Sequence, residues 1–331
     1  MLTRRSFTAL AAASLAAPFV RPALSQEASM LDNALERLDQ LHSIQVQRGS
    51  DLLYSQAPRG AGLDGLANIK SCSKSIVALL LGTCIAQEEI SSVAARLGEV
   101  APSIVPADAT QGVSDITVEN LVTLHAGLEG TSGDRYGGWV ASGNWIAHAL
   151  TRPMIANPGS RMIYSTGSTH VLGAAMAKAS GQSLLALARQ RLGEPMGFDV
   201  PPWIRDPQGY YLGGNEMALT PRAMLSLARL LRDDGRFEGS QIVPAAWIGS
   251  SIVSRGRSPY SGMDYGYGWF LTESGYVLAR GYGGQIIASH RDLGLAVAIT
   301  SDPNRPAYSQ GYFGDLVELL DGPILALAGS A

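Results

Sequence analysis

Lys70 and Lys74 flank a serine in the stretch Ile69-Lys70-Ser71-Cys72-Ser73-Lys74-Ser75, and only one other lysine, Lys178, occurs in 331 residues. The remaining Lys-or-Arg positions are all arginine. Arginine stays protonated at any working pH, whereas a desolvated lysine can release its proton and act as a base. Ser71-x-x-Lys74 is the only serine-x-x-lysine match in the chain, because Ala67 and Ala175 stand three residues before Lys70 and Lys178. A serine at that spacing is common by chance, so the surrounding elements must decide whether it is chemistry.

The apolar run Ile76-Val77-Ala78-Leu79-Leu80-Leu81-Gly82 predicts a buried helix, with Asn68 or Ser71 as its start signal. Ser71 then occupies the first turn, and residues three apart share a face, so the Lys74 amine can reach the Ser71 hydroxyl. That pairs a nucleophile with a base. The helix N-terminus favours a developing oxyanion and disfavours ammonium on Lys74. Cys72 is turned about 100° from Ser71 and has no evident base, so packing is its expected role. Cys72 and Cys84 are about 18 Å apart along one helix at ~1.5 Å per residue, too far for a disulfide.

Two further elements carry candidate chemistry. In Pro158-Gly159-Ser160-Arg161-Met162-Ile163-Tyr164-Ser165-Thr166-Gly167 a turn delivers Tyr164 just before a helical stretch. In Arg280-Gly281-Tyr282-Gly283-Gly284-Gln285, paired glycines beside a strand would let a substrate approach the backbone closely. His170 lies near Tyr164 in sequence, and Trp269 is one of several aromatic residues that could line an apolar pocket. The five histidines show no metal-ligand spacing, and no G-x-S-x-G elbow occurs.

In this order, the three elements resemble the class C β-lactamase-like family of penicillin-recognising serine hydrolases, which includes esterases and 6-aminohexanoate-oligomer hydrolases. Ile116 to Leu128, with His125-Ala126-Gly127-Leu128 in place of a Ser-Gly-Leu ending, and Gln241-Ile242-Val243-Pro244 with Trp247 add to the resemblance. It spans nearly all of the chain after the leader. It implies that Ser71 is acylated, that Lys74 and Tyr164 share the proton transfers, and that the backbone N–H groups of Ser71 and Gln285 form the oxyanion hole. Tyr282, Gly283, Gly284, Thr166, His170 and Trp269 are the expected substrate contacts.

Two departures bear on specificity. Tyr282-Gly283-Gly284 stands where relatives often carry Lys-Thr-Gly or His-x-Gly, and Thr166 stands where asparagine often follows the tyrosine. Without a cation at 282, the grip on a β-lactam or peptide carboxylate is missing unless Arg280 or Arg161 supplies it. The expected substrate is therefore a small ester or uncharged amide. A β-lactamase or D-Ala-D-Ala carboxypeptidase, and a non-catalytic binding or sensing protein with the same fold, are the alternatives.

Composition agrees with an enzyme acting on small molecules. With 46% hydrophobic and 16% charged residues the chain can bury a large core, and a net charge of −3 without a basic run argues against nucleic acid as partner. Thr3-Arg4-Arg5-Ser6-Phe7-Thr8, the apolar stretch Ala9 to Val20 and Ala23-Leu24-Ser25 resemble a twin-arginine export signal over residues 1–25. This predicts engagement of the Tat machinery and a periplasmic or secreted product with no stable membrane anchor. No cofactor or metal is expected.

The expected fold class is α+β of the β-lactamase/transpeptidase type. Residues 26–70 and 260–331 build an antiparallel sheet from both termini, and 71–259 form an inserted, mostly helical region carrying the nucleophile helix, all one catalytic unit over 26–331. Locally, 30–42 predicts an amphipathic helix and 43–54 a hairpin around Arg48-Gly49-Ser50-Asp51. Thr117, Ser183 and Thr220-Pro221 predict helix starts. Strands are expected at 266–271, 276–280, 285–289 and 293–300, with a helical patch over 313–327.

Overall fold

The computed structural model describes residues 22–330. The twin-arginine residues lie outside that range. The expected cleavage site falls within the first helix, α1 (Pro22–Leu35), which starts earlier and ends sooner than the sequence pattern suggested. Residues 41 and 42 already belong to β1 (Leu41–Arg48), which turns at Gly49-Ser50 into β2 (Asp51–Gln56) as a hairpin.

Eight antiparallel strands form the main sheet, and the N-terminal hairpin completes it against C-terminal strands. Six of them come from the second half of the chain: β3 (Gly256–Arg257), β4 (Asp264–Tyr265), β5 (Phe270–Leu271), β6 (Tyr276–Gly281), β7 (Gln285–His290) and β8 (Leu295–Ser301). Their order is β2-β1-β8-β7-β6-β5-β4-β3. β1 pairs with β8 from Leu41 opposite Ser301 to Arg48 opposite Leu295, which joins the two ends of the chain.

Both faces of the central strands are buried, so they read as continuous apolar runs in sequence. Period-2 alternation divides them. Leu278, Ile286, Ala288, Val297 and Ile299 pack with Leu31, Phe313 and Leu316 of the terminal helices, whereas Val277, Ala279, Ile287, Ala296 and Ala298 join the core of the inserted helical region. The sheet thereby links two cores.

Two local expectations change. Over 266–271 only Phe270–Leu271 is strand, because Gly268 has φ +79° and an added Cβ at Gly266 would lie 2.0 Å from the Ser251 carbonyl oxygen. The chain turns there instead. The C-terminal patch divides into α-helices Tyr312–Leu319 and Leu325–Ser330 around a π-turn at Leu320–Ile324 holding Pro323, which cannot donate to the helical ladder.

Helix α2 (Ser73–Ala86) threads the inserted region, with every residue from Ser73 to Cys84 buried, as an all-round apolar surface requires. Gly82 fits it against Trp247: an added Cβ would lie 2.3 Å from the indole, whose N–H donates to the Ala78 carbonyl at 3.0 Å. Three expected caps are present. Thr117, Ser183 and Thr220 accept from the backbone N–H of Asn120, Ala186 and Ala223, opening helices Val118–Val122, Leu184–Ala188 and Pro221–Arg232.

Candidate active site

Ser71 occupies a single 3₁₀ turn, Lys70–Cys72, that runs into α2. The turn is held from both sides. Upstream, Ala67–Asn68 pairs with Ala218–Leu219, Ile69 N–H donates to Met217 at 2.9 Å, and the Asn68 carboxamide oxygen accepts from Lys70 N–H at 2.9 Å. Downstream, the Ser73 hydroxyl donates to the Lys70 carbonyl at 2.6 Å and accepts from Met217 N–H at 3.2 Å. Lys70 is thereby fixed at φ +50°, a left-handed conformation that non-glycine residues reach at a cost.

Across this turn the Lys74 amine lies 3.1 Å from the Ser71 hydroxyl. It also meets the Gly214 carbonyl at 2.7 Å and the Thr166 hydroxyl at 3.3 Å, and lies 4.9 Å from the Tyr164 ring centre. Lys74 is 3% exposed and no carboxylate pairs with it among the described residues. Burial therefore pushes its pKa down from 10.5 to about 7. A lysine in this state is a base at neutral pH.

Tyr164 and Thr166 enter at the start of the helix Thr166–Ser180. Tyr164 and Ser71 face the same cavity. Burial raises the Tyr164 pKa, while the nearby Ser71 hydroxyl and Arg280 charge pull it back. Cys72 differs. Its thiol donates to the Gln285 carbonyl at 3.4 Å and burial drives its pKa upward, so it stays a neutral packing group.

That contact places Gln285, the first residue of β7, against the Ser71 turn. The Gln285 carboxamide is occupied with Ser301: it donates to the Ser301 carbonyl at 2.7 Å and accepts from Ser301 N–H at 3.2 Å. Gly283 and Gly284 (φ +82° and +95°) form the bend before it. Their bare sides face the protein rather than a ligand: an added Cβ would lie 2.2 Å from the Asp302 carbonyl oxygen and 2.6 Å from the Tyr312 ring. The pair admits the Asp302 backbone and the Tyr312 side chain, a different use from the one expected of it.

A cavity of about 600 Å³ opens over Ser71. Ser132, Tyr136, Tyr164, Thr166, Glu216 and Arg280 line it, and Tyr260 and Tyr282, 72% and 52% exposed, stand at its mouth. Of the expected substrate contacts, Tyr282 and Thr166 are therefore at the cavity, and Gly283, Gly284, His170 and Trp269 are not among its lining residues. His170 is fully buried between Trp139 and Trp145, with its ring nitrogens engaged by Asp206 at 3.0 Å and Gly213 N–H at 3.4 Å. Trp269 is fully buried core.

Several cavity features carried no local sequence signal. Gly213 and Gly214 let a distant strand of backbone lie against the helix Thr166–Ser180, since a Cβ on Gly213 would fall 2.4 Å from the Thr169 carbonyl oxygen. This brings the Gly214 carbonyl to Lys74. Next to it, Glu216 (φ +66°) pairs with Lys70 at 2.9 Å and accepts from Asn68 and Asn215. A glycine pair before a helix cap at Thr220 was the available clue to the first; nothing in sequence marked the second.

Arg280 is the unpaired charge in the cavity. Its guanidinium lies 3.7 Å from the Phe313 ring centre and donates to the Ser309 hydroxyl at 2.9 Å and the Ala307 carbonyl at 3.0 Å, with no carboxylate partner among the described residues. Burial lowers its pKa to about 10. Arg161 lies outside the cavity lining, exposed, and donates to the Ile155 carbonyl. Among the described residues no group of three or more His, Cys, Asp or Glu is placed to hold a metal ion, and no single helix is long and apolar enough to cross a membrane.

Comparison with known proteins gives the same architecture. The family model described as Beta-lactamase matches residues 43–316. No curated protein matches the sequence. Among solved structures, EstCE1, a hydrolase with promiscuous acyltransferase activity, superposes with a TM-score of 0.74 at 16% identity, covering 93% of this chain and 99% of its own. A penicillin-binding protein homologue from Caulobacter crescentus gives 0.73 at 16% identity, with 91% and 98% covered. A family VIII carboxylesterase gives 0.68 at 14%, with 90% and 96% covered. At these identities the likeness is one of fold.

Proposed function

Since the chain belongs to the beta-lactamase family of hydrolases, we propose that it is a serine hydrolase that forms an acyl-enzyme on Ser71 from a small ester or amide and releases it to water. The observation that carries this reading is the Ser71–Lys74 contact of 3.1 Å with an amine whose pKa is brought down to about 7. A serine hydroxyl is a poor nucleophile until a base takes its proton, and here the base is in contact and about half neutral at pH 7. Tyr164, which lines the same cavity as Ser71, is the second proton-transfer group.

In this mechanism Ser71 Oγ attacks the substrate carbonyl while its proton passes to Lys74. The negative oxygen of the tetrahedral intermediate faces the N–H groups of Ser71 and Gln285, fixed donors of a kind typically worth about 3–4 kcal/mol each. The locked Gln285 side chain keeps that strand from shifting. No step calls for a cofactor. For localisation we propose export through the Tat machinery to the periplasm or beyond, on the strength of the leader-like residues 1–25 alone.

A second reading has its own support. Arg280, half-buried at the cavity and without a carboxylate partner among the described residues, could bind a carboxylate, which a β-lactam or a peptide C-terminus carries. Parallel assays with a short-chain p-nitrophenyl ester and a chromogenic cephalosporin separate the two. Ester cleavage without cephalosporin turnover supports the ester or amide reading, and rapid cephalosporin turnover without ester cleavage overturns it.

A further inference from the structure

Three partners surround Lys74 Nζ, and the third leads away from Ser71. The Gly214 carbonyl can only accept, so one Lys74 N–H is committed to it at 2.7 Å. The other two partners, Ser71 Oγ and Thr166 Oγ1, are hydroxyls that can donate or accept. Thr166 Oγ1 in turn lies 2.9 Å from Ser132 Oγ. Ser132 Oγ accepts from the Thr166 backbone N–H at 2.8 Å, which fixes its position and leaves its own proton free to point to Thr166 or to the cavity it lines.

We propose that Thr166 and Ser132 form a hydroxyl relay that carries the proton taken by Lys74 to the leaving group of the substrate. The proposal rests on the acyl-enzyme reading above. In acylation the Ser71 O–H bond breaks, its proton joins Lys74, and the Ser71 Oγ–carbon bond forms. As the bond from the carbonyl carbon to the leaving oxygen or nitrogen breaks, its electron pair stays on the leaving atom. Lys74 then gives a proton to Thr166 Oγ1, Thr166 gives its own to Ser132 Oγ, and Ser132 gives its own to the leaving atom. One proton moves from Ser71 to the product, and no co-reactant is consumed.

The hydroxyl at 166 is what makes this route continuous. An asparagine there could accept from Lys74 through its carboxamide oxygen but could not hand a proton onward in the same way, because that oxygen carries none. The neighbouring contacts keep the two hydroxyls aligned: Thr131 Oγ1 accepts from Gly167 N–H at 2.8 Å, and Thr131 N–H donates to Ser165 Oγ at 3.2 Å, tying the loop that bears Ser132 to the helix start. Tyr164 is not part of this route.

The test compares leaving groups. A p-nitrophenyl ester releases a stable anion and needs no proton, whereas an alkyl ester or anilide does. The readout is the ratio of kcat/KM on the alkyl ester to that on the p-nitrophenyl ester of the same acid. Thr166→Val, Thr166→Asn and Ser132→Ala are each expected to lower this ratio by about tenfold or more, within the usual range for a lost proton donor. Thr166→Ser is expected to hold it within about threefold of the unmodified chain. A ratio unchanged in Ser132→Ala, or in Thr166→Asn, overturns the relay, and Ser132 decides should the Thr166 variants fail to fold. Fluorophosphonate labelling of the unmodified chain tests the underlying reading separately: without labelling the acyl-enzyme reading falls, and labelling with a fixed ratio removes the relay alone.

Discussion

Replacing Lys74 by arginine tests how burial creates the base. The amine is 3% exposed and has no anionic partner among the described residues, so its pKa falls from 10.5 to about 7. A drop of about 3.5 units disfavours the ammonium by roughly 5 kcal/mol. At pH 7 about half of the Lys74 population is then neutral, against about one in three thousand for a lysine in water. Protonation removes the base, so kcat/KM on a p-nitrophenyl ester should fall about tenfold per pH unit below about pH 7 and level off above it. Lys74→Arg places a permanent cation in the same site and should lose at least about a hundredfold. An acid limb centred in the carboxylate range, or an arginine variant within about tenfold of the unmodified chain, would refute this reasoning.

Further outcomes follow from the same contacts. Because the folded pKa of Lys74 is lowered, the unfolded chain binds more protons between about pH 7 and 10.5, so denaturant stability should rise with pH across that window and the rise should shrink in Lys74→Met; an identical slope in both counts against a buried neutral amine. Gly283→Ala should cost about 2 kcal/mol or more in urea unfolding, since the new Cβ would lie 2.2 Å from the Asp302 carbonyl oxygen at φ +82°; an unchanged midpoint would show that the bend tolerates a side chain. Arg280→Met should raise KM about tenfold or more for an ester bearing a free carboxylate relative to its methyl-capped counterpart; equal effects on both would remove Arg280 as an anion contact.

How far the site could be read from sequence depends on whether its geometry is local. Ser71 and Lys74 are legible because a helix fixes what three residues of separation means, and Thr117, Ser183 and Thr220 because a cap is a contact between neighbours. The terminal strands were legible as apolar runs, and their union into one sheet followed from strands at both ends of the chain. Gly214, Ser132 and the Lys70–Glu216 pair were not, since each reaches the nucleophile turn or the base, Ser132 through Thr166, from a segment distant in the chain. His170 misled for the converse reason. It follows Tyr164 by six residues, but the helix carries it inward to Asp206, away from the cavity. Gly283 and Gly284 were expected to admit a substrate, whereas Asp302 and Tyr312, both from later in the chain, are what lie against them.

The most direct measurement is intact-mass and peptide mass spectrometry of the protein quenched during turnover of a slowly hydrolysed ester. A mass increase equal to one acyl group is expected, located on the peptide containing Ser71 and absent in Ser71→Ala. Turnover with no adduct at any quench time, or an adduct on another residue that persists in Ser71→Ala, would contradict it.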